Sequence, residues 1–176
     1  MMDDNMNPWT YLNRLAPFFM GLLICANLSG CINLSLPQST VTRANDASFK
    51  APPSPYASLS NEKADQAWGS SATGNIISFY SECTAKSDFT LRDLQQESLN
   101  ALEDGQTVEQ KEIDFNGRKA LRSLMMGRVE GLDMKVEQVL LKKNSCNYIL
   151  SYTALGKHFE REREHFEAFV NAFKVP

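Results

Sequence analysis

The second half of the chain contains four strand-like runs separated by short turn sequences, and this spacing constrains the fold more than any other feature. The turns fall at Asn116-Gly117, Glu130-Gly131 and Lys143-Asn144-Ser145, whose residue types suit tight hairpins. Because such short connections join antiparallel neighbours, the four runs are predicted to form a meander in one sheet. The run at 119–129 has apolar residues on both faces, and we expect it to be a central strand covered on both sides.

Two further elements are predicted before the meander. Residues 75–83 alternate in part between apolar and polar side chains, which is the period of a half-buried strand. Thr90 and Asp93 then resemble a capping box, with Asp in place of the usual Glu, at the start of a helix. Leucines follow on one side of this helix until Asp104-Gly105, where we expect it to end.

The last element is predicted to be an amphipathic helix over residues 157–174. Its apolar side chains recur at helical spacing and are Phe159, Phe166, Phe169, Val170 and Phe173. The opposite face carries alternating Glu and Arg residues over 160–164, followed by Glu167. We expect this face to be solvated. The predicted fold class is therefore α+β, an antiparallel sheet of one N-terminal strand plus the four-strand meander, packed by two helices.

This element order and the closing aromatic helix resemble the PsbP-like fold, which includes periplasmic lipoproteins of the DcrB type and photosystem accessory subunits. The resemblance covers roughly residues 64–175 and includes no diagnostic motif. It implies a binding or assembly module rather than an enzyme, by analogy of fold.

The N-terminal region contains an apolar segment that ends in Leu28-Ser29-Gly30-Cys31. Residues 16–26 carry no charge, but a bilayer span needs ~20 apolar residues, so the segment fits the apolar part of a secretory signal. The four residues resemble the lipobox of bacterial lipoproteins. This resemblance implies cleavage before Cys31 and attachment of a diacylglycerol, carrying palmitate-type chains, to its sulfur. The alternatives are an ordinary secretion signal and an apolar helix with a chance cysteine.

The residues before this segment depart from the usual pattern of an export signal. Asp3 and Asp4 stand against Arg14, whereas this region is normally net positive. Initiation at Met6 would remove both aspartates and leave the mature chain unchanged.

These features divide the chain into a cleaved signal peptide (1–30), a lipidated cysteine with a flexible tether (31–63) and a globular domain (64–176). The tether is predicted because 32–63 is poor in large apolar residues and contains Pro52-Pro53-Ser54-Pro55. Ile32 follows the cysteine in place of the Asp that resembles an inner-membrane retention signal. A lipid-anchored, periplasm-facing location is therefore expected, with the outer membrane favoured over the inner membrane.

Two cysteines remain for the folded domain, because Cys25 lies in the signal segment and Cys31 carries the lipid. An even pair in an exported chain favours a disulfide between Cys83 and Cys146, since that compartment is oxidising. The pairing requires only that the first and last strands lie close together. Two buried free thiols are the alternative.

The composition and motifs exclude several functions. A net charge of −3 without a basic stripe argues against nucleic-acid binding. His158, Glu162 and His165 have a spacing that could present metal ligands on one helix face, but they are interleaved with the charged face, so we predict neither a metal site nor a cofactor. The sequence contains no Gly-x-Ser-x-Gly elbow and no phosphate-binding loop, and no catalytic residues are predicted.

Two functions remain as hypotheses. The first is a non-enzymatic binding or accessory module, held at the membrane through the lipid on Cys31 and offering a face to an envelope protein partner. The second is a carrier of an apolar small molecule or lipid in a pocket between sheet and helices, lined by residues 119–129 with Met125 and Met126.

Overall fold

The computed structural model describes residues 42–61, 63–83 and 89–175. The predicted signal peptide and Cys31 lie outside these residues. Seven antiparallel strands form one sheet in the order β1-β2-β3-β7-β6-β5-β4. The strands are β1 Tyr56–Leu59, β2 Gln66–Ser70, β3 Ile76–Cys83, β4 Glu103–Phe115, β5 Arg118–Val129, β6 Leu132–Lys143 and β7 Cys146–Leu155. The helices are α1 Leu91–Asn100, a short 3-10 helix Gly156–Arg161 and α2 Arg163–Ala172.

The predicted meander is confirmed, with β4 to β7 paired in sequence order. Its hairpin turns place both central residues at positive φ, 51° and 72° at Asn116-Gly117 and 51° and 76° at Glu130-Gly131. These angles define type I′ turns, whose twist matches that of the flanking strands. β5 lies between β4 and β6, so its prediction as a central strand is also confirmed.

Helix α1 begins as predicted but ends earlier. The Asp93 carboxylate accepts a hydrogen bond of 2.7 Å from the Thr90 backbone N–H, and the Thr90 hydroxyl accepts one of 3.2 Å from the Asp93 N–H, which completes the capping box. The helix stops at Asn100, so the prediction that it continues to Asp104-Gly105 is wrong. Residues 103–105 belong instead to β4, where Glu103 pairs with Arg128 of β5 and an irregularity in the register follows before Gln106.

The two helices cover opposite faces of the sheet. On the α1 face, Leu94 packs with Leu121 and Leu140 in a small cluster. On the other face, alternate residues of the same strands join the main core beneath α2. The fully buried aromatic side chains of this core are Tyr148, Tyr152, Phe159, Phe166, Phe169 and Phe173.

The closing helix is interrupted at Glu162. The prediction of one continuous helix over 157–174 is therefore wrong, since a 3-10 helix and α2 flank this residue. The Glu162 backbone has φ −134° and ψ 13°, which lies outside the helical region. Its side chain turns into the protein, where it accepts several hydrogen bonds.

The domain also extends further toward the N-terminus than predicted. Phe49 contacts the rings of Trp68, Phe79, Phe169 and Phe173 at 5.7 to 6.0 Å. Residues from 42 to 63 were predicted as tether, yet they supply this ring and strand β1. Burial of an aromatic side chain outweighs the unfavourable Pro-rich composition around it. The rest of the predicted tether lies outside the described residues.

Strand β2 is a second addition to the predicted sheet. It contains Trp68, which is 5 % exposed and packs edge-on against Phe169 at 5.4 Å. Trp68 is therefore part of the main core. Within residues 42–61, 63–83 and 89–175, no helix is both long enough and apolar enough to cross a membrane.

Candidate functional site

The predicted disulfide between Cys83 and Cys146 is present in the structure. The two residues are directly opposite each other at the end of the β3–β7 ladder, with Cα atoms 4.0 Å apart. The ladder therefore brings the cysteines together across a sequence separation of 63 residues. Thr42 pairs with Cys83 from the other side.

The most elaborate polar site surrounds Glu162, which is 6 % exposed. Its carboxylate accepts hydrogen bonds from the hydroxyls of Thr73 at 2.6 Å and Ser70 at 2.9 Å. It also accepts one from the Tyr56 hydroxyl at 3.1 Å and one from the Asn75 side-chain amide at 3.3 Å. The donors come from β1, from β2 and from the turn before β3, so one carboxylate joins these segments to the interrupted helix.

The electrostatics of this cluster follow from its burial. Burial alone would raise the pKa of Glu162, but the hydrogen bonds from Thr73, Ser70 and Tyr56 outweigh it and hold the pKa below its ordinary value. Burial, together with the negative charge of Glu162, raises the pKa of Tyr152 to about 12. The carboxylate is therefore ionised and the tyrosine neutral at physiological pH. An enclosed carboxylate with a lowered pKa is a poor general base, and this one joins three segments of the fold through its hydrogen bonds.

The residues considered as metal ligands have separate contacts. His158 Nδ1 lies 3.2 Å from the Thr73 carbonyl oxygen. The ring of His165 packs against Tyr56 at 5.5 Å, while Glu162 binds the hydroxyl donors. The described part of the chain contains no cluster of three or more His, Cys, Asp or Glu residues arranged to hold a metal ion.

A second buried carboxylate connects α2 to the middle of the sheet. Glu137 on β6 is 2 % exposed and accepts hydrogen bonds of 2.8 Å from the Nε atoms of Arg122 and Arg163. Arg122 in turn donates to Glu167 on α2. The charged helix face predicted to be solvated is thus partly used for docking, since Glu162 is enclosed and Arg163 pairs with the sheet.

The region proposed for a carrier pocket is filled in part. Met125 is fully buried, and aromatic rings occupy the space between sheet and α2. Met126 instead faces an open cleft of about 390 Å³ at the end of the sheet, together with Met134. The charged side chains at this cleft are Asp104, Arg128, Asp133 and Lys135.

Comparison with known proteins identifies the fold. No protein-family model matches the chain, and no curated protein matches it in sequence. Among solved structures, the chain is similar to cyanobacterial PsbP (CyanoP) from Synechocystis sp. PCC 6803, with 11 % identity and a TM-score of 0.53 over 74 % of this chain and 87 % of that chain. It is similar to LpqN from Mycobacterium tuberculosis, described as involved in cell envelope biogenesis, with 12 % identity and a TM-score of 0.52 over 79 % and 87 %.

A third similar structure is the Ran-binding protein Mog1p of Saccharomyces cerevisiae, with 11 % identity and a TM-score of 0.51 over 77 % of this chain and 96 % of that chain. At this level of identity the likeness establishes the fold alone. The domain has the α+β architecture shared by PsbP and Mog1 proteins, as the element order predicted.

Sequence reasoning missed Glu162 and Glu137 as buried residues. Glu162 lies in a run of alternating Glu and Arg, so nothing local distinguishes it from its exposed neighbours. Its donors Ser70 and Thr73 are 92 and 89 residues away in the chain. A weak signal was available at Asn75, a polar residue immediately before an apolar strand. Its side chain is fully buried.

Proposed function

We propose that the chain is a lipid-anchored protein of the cell envelope whose domain binds a protein partner and catalyses no reaction. The observation that carries this proposal is the motif Leu28-Ser29-Gly30-Cys31 upstream of a PsbP-like domain. LpqN, which shares the fold, is described as involved in cell envelope biogenesis, and Mog1p is described as Ran-binding. The first description supports a place in the cell envelope, and the second supports a binding role for a domain of this architecture.

The polar groups of the domain fit that role. Glu162 and Glu137 are enclosed and engaged in ion pairs or hydrogen bonds that hold elements together. Such groups rigidify a scaffold, and a rigid scaffold presents a constant surface to a partner. The outer membrane is the favoured location because Ile32 follows the anchoring cysteine.

Anchoring is tested by metabolic labelling with a palmitate analogue. Cys31→Ala should abolish labelling and leave an unprocessed precursor, because the acyl chains and the cleavage both depend on that thiol. Cys25→Ala is the matched control, since this cysteine lies in the segment that cleavage removes, and it should be labelled like the wild type. Continued labelling of the Cys31→Ala chain would refute the assignment.

Partner binding is tested by crosslinking in intact cells followed by affinity purification of the full chain. The wild type and Cys25→Ala should recover the same envelope protein in independent repeats. Cys31→Ala should recover much less of it, because the partner is met at the membrane. Failure of the anchored chain to recover any reproducible partner would contradict the binding role.

The second candidate is a carrier of an apolar small molecule, and the observation that favours it is the cleft beside Met126. Its volume of about 390 Å³ falls in the range of small-molecule sites, roughly 300 to 1,000 Å³. Native mass spectrometry of the purified chain should then detect a bound lipid that is reduced in Met126→Glu. A mass equal to that of the processed, acylated chain with nothing added would exclude this candidate.

A further inference from the structure

The described chain enters the domain at one end of the sheet, which limits how far that end can lie from the proposed anchor. Thr42 pairs with Cys83, whose backbone N–H donates to the Thr42 carbonyl oxygen at 2.8 Å. We call this the Cys83 end; β3, β4 and β6 finish there, and β5 and β7 begin there. A fully extended chain from Cys31 to Thr42 spans ~40 Å at most, so the two residues can lie no farther apart than this. Strands of 12 residues such as β6 are themselves ~40 Å long, so the opposite end can lie twice as far away.

Several cationic side chains lie on the surface of the Cys83 end, although the whole chain has a net charge of −3. Lys63, Arg118, Lys119 and Lys174 are exposed there, and Arg43 and Lys142 are half-buried. Ladder pairing and hydrogen bonds place them together: Lys142 is opposite Asn147 beside the disulfide, and Arg43 donates to the Ser81 and Lys63 carbonyl oxygens.

Two acidic side chains at this end have partners within the fold. Asp46 accepts a hydrogen bond from the Tyr148 hydroxyl at 2.8 Å and lies 4.0 Å from the buried Lys143 ammonium. Asp65 accepts from the Ser81 N–H and lies 3.7 Å from Arg43. Asp93, Glu112 and Asp114 are exposed at this end, and Glu82 is half-buried; Asp114 pairs with Lys119 at 3.5 Å. The exposed lysines and arginines therefore exceed the exposed acids by a small margin, and the Cys83 end has a small excess of positive charge.

An exposed aromatic side chain accompanies these cations. Phe89 is 60 % exposed, and its carbonyl oxygen accepts a hydrogen bond from the Lys142 ammonium. The turn at the opposite end also exposes apolar side chains, Val129 and Leu132. That end carries both signs of charge, with Glu130 and Asp133 beside the turn and Arg128, Lys135 and Lys157 nearby. The two ends therefore differ in their balance of charge rather than in apolar exposure.

We propose that the Cys83 end docks on an anionic lipid surface, with its lysines and arginines against the phosphates of the headgroups and Phe89 at their level. The orientation rests on the proposed lipid anchor, because the anchor sets which end approaches the bilayer. The charge argument applies equally to the unacylated chain. Cations beside a membrane each strengthen binding to anionic lipid, and exposed aromatic rings favour the interface.

The test uses the mature chain with Cys31→Ser, which carries no lipid, in cosedimentation with vesicles. It should bind vesicles of equal parts phosphatidylglycerol and phosphatidylcholine, lose this binding at high salt, and ignore phosphatidylcholine alone. Arg118→Glu with Lys119→Glu should lower the partition coefficient at least ~25-fold, since each cation contributes roughly five-fold. Arg128→Glu with Lys157→Glu makes the same change in charge at the opposite end and should lower it much less.

Equal losses in the two double variants would overturn the proposal, because net charge alone would then explain the binding. Equal binding to both kinds of vesicle, or to neither, would overturn it as well. So would a concentration-dependent dimer that Arg118→Glu with Lys119→Glu abolishes, since the surface would then belong to a second copy of the chain. Matching circular dichroism spectra check that both variants fold.

Hydrogen exchange on the acylated wild type provides a second readout. Anionic vesicles should protect the turns at 116–117 and 144–145 and leave the turn at 130–131 unchanged; protection of the last turn would contradict the orientation.

Failure of the anchor and failure of this surface give different results. Palmitate labelling lost in Cys31→Ala, with an unacylated chain that ignores anionic vesicles, keeps the anchor and rejects the surface. Vesicle binding by a chain that is never labelled rejects the anchor and keeps the surface.

Discussion

Glu162→Gln tests whether a buried carboxylate holds the first strands of the sheet to the helices. The carboxylate accepts from the hydroxyls of Thr73, Ser70 and Tyr56 at 2.6, 2.9 and 3.1 Å. An amide of the same shape keeps one acceptor oxygen and turns an NH₂ group toward the remaining hydroxyls. Hydrogen bonds to a charged group contribute ~1.5–3 kcal/mol and neutral ones ~0.5–1.5 kcal/mol. With two or three bonds weakened, we expect the free energy of unfolding to fall by about 2–4 kcal/mol.

The pH dependence of this loss gives a second check. The pKa of Glu162 is lowered in the folded protein from its ordinary value of 4.5. A depressed pKa contributes stability that is present above the ordinary value and is lost as pH falls through the folded one. The difference between wild type and Glu162→Gln should therefore stay constant from neutral pH to about 5 and narrow below 4.5.

The assay is urea denaturation of both chains at a series of pH values, with the disulfide intact. Glu160→Gln is the matched control, because its side chain is 69 % exposed and pairs loosely with Arg163 at 3.8 Å; it should change stability by less than about 0.5 kcal/mol. A similarly small change for Glu162→Gln at neutral pH would refute the reasoning. A loss that persists unchanged at low pH would show that the ionised form is not the source.

Three further substitutions test other interactions that stabilise the fold. Replacing both Cys83 and Cys146 by Ala should cost about 4 kcal/mol of unfolding free energy in the chain-entropy model, because the loop of 63 residues is no longer closed; urea denaturation measures it. Gly127→Ala should cost ~1–3 kcal/mol, because the new methyl carbon would lie 2.8 Å from the Leu102 Cβ, and thermal unfolding should show it. Glu137→Gln should cost roughly 3 kcal/mol by urea denaturation, because two arginines then lose a buried counter-charge.

Each of the last two changes has a control in the same chain. Gly156→Ala places its methyl no closer than 3.8 Å to the Asp133 carbonyl oxygen, so it should change stability little. Glu109→Gln removes a carboxylate that is 54 % exposed and paired with Lys111, and it should change stability little. If either control costs as much as its counterpart, the close contact or the burial is not the cause.

The elements that could be predicted from the sequence are those specified by neighbouring residues. Asn116-Gly117 and Glu130-Gly131 set tight turns through their own backbone preferences, and the strands between them follow. The capping box of Thr90 and Asp93 is complete within one helical turn. The disulfide was predictable as a pair because two cysteines remained in the folded region.

The elements that were missed depend on partners far away in the chain. β1 lies in a Pro-rich segment, and it becomes a strand because Tyr56 reaches Glu162, 106 residues later. Phe49 likewise has no large apolar residue near it in the sequence, and it is partly buried only because the core beneath α2 accepts its ring. The burial of Glu162 and Glu137 depends in the same way on donors and cations from other elements, which no local period reveals.

These long-range interactions also determine which strands should unfold locally first. β1 and β2 have only four and five residues, so their ladder buries little surface of its own, and two-stranded units of this size are marginal in water. Tyr56 of β1 and Ser70 of β2 each donate to Glu162. Glu162→Gln should therefore speed hydrogen exchange in β1 and β2 before it affects β5 to β7, whose strands run for 10 to 12 residues. Uniform acceleration across the sheet would instead mean that the carboxylate stabilises the fold as a whole.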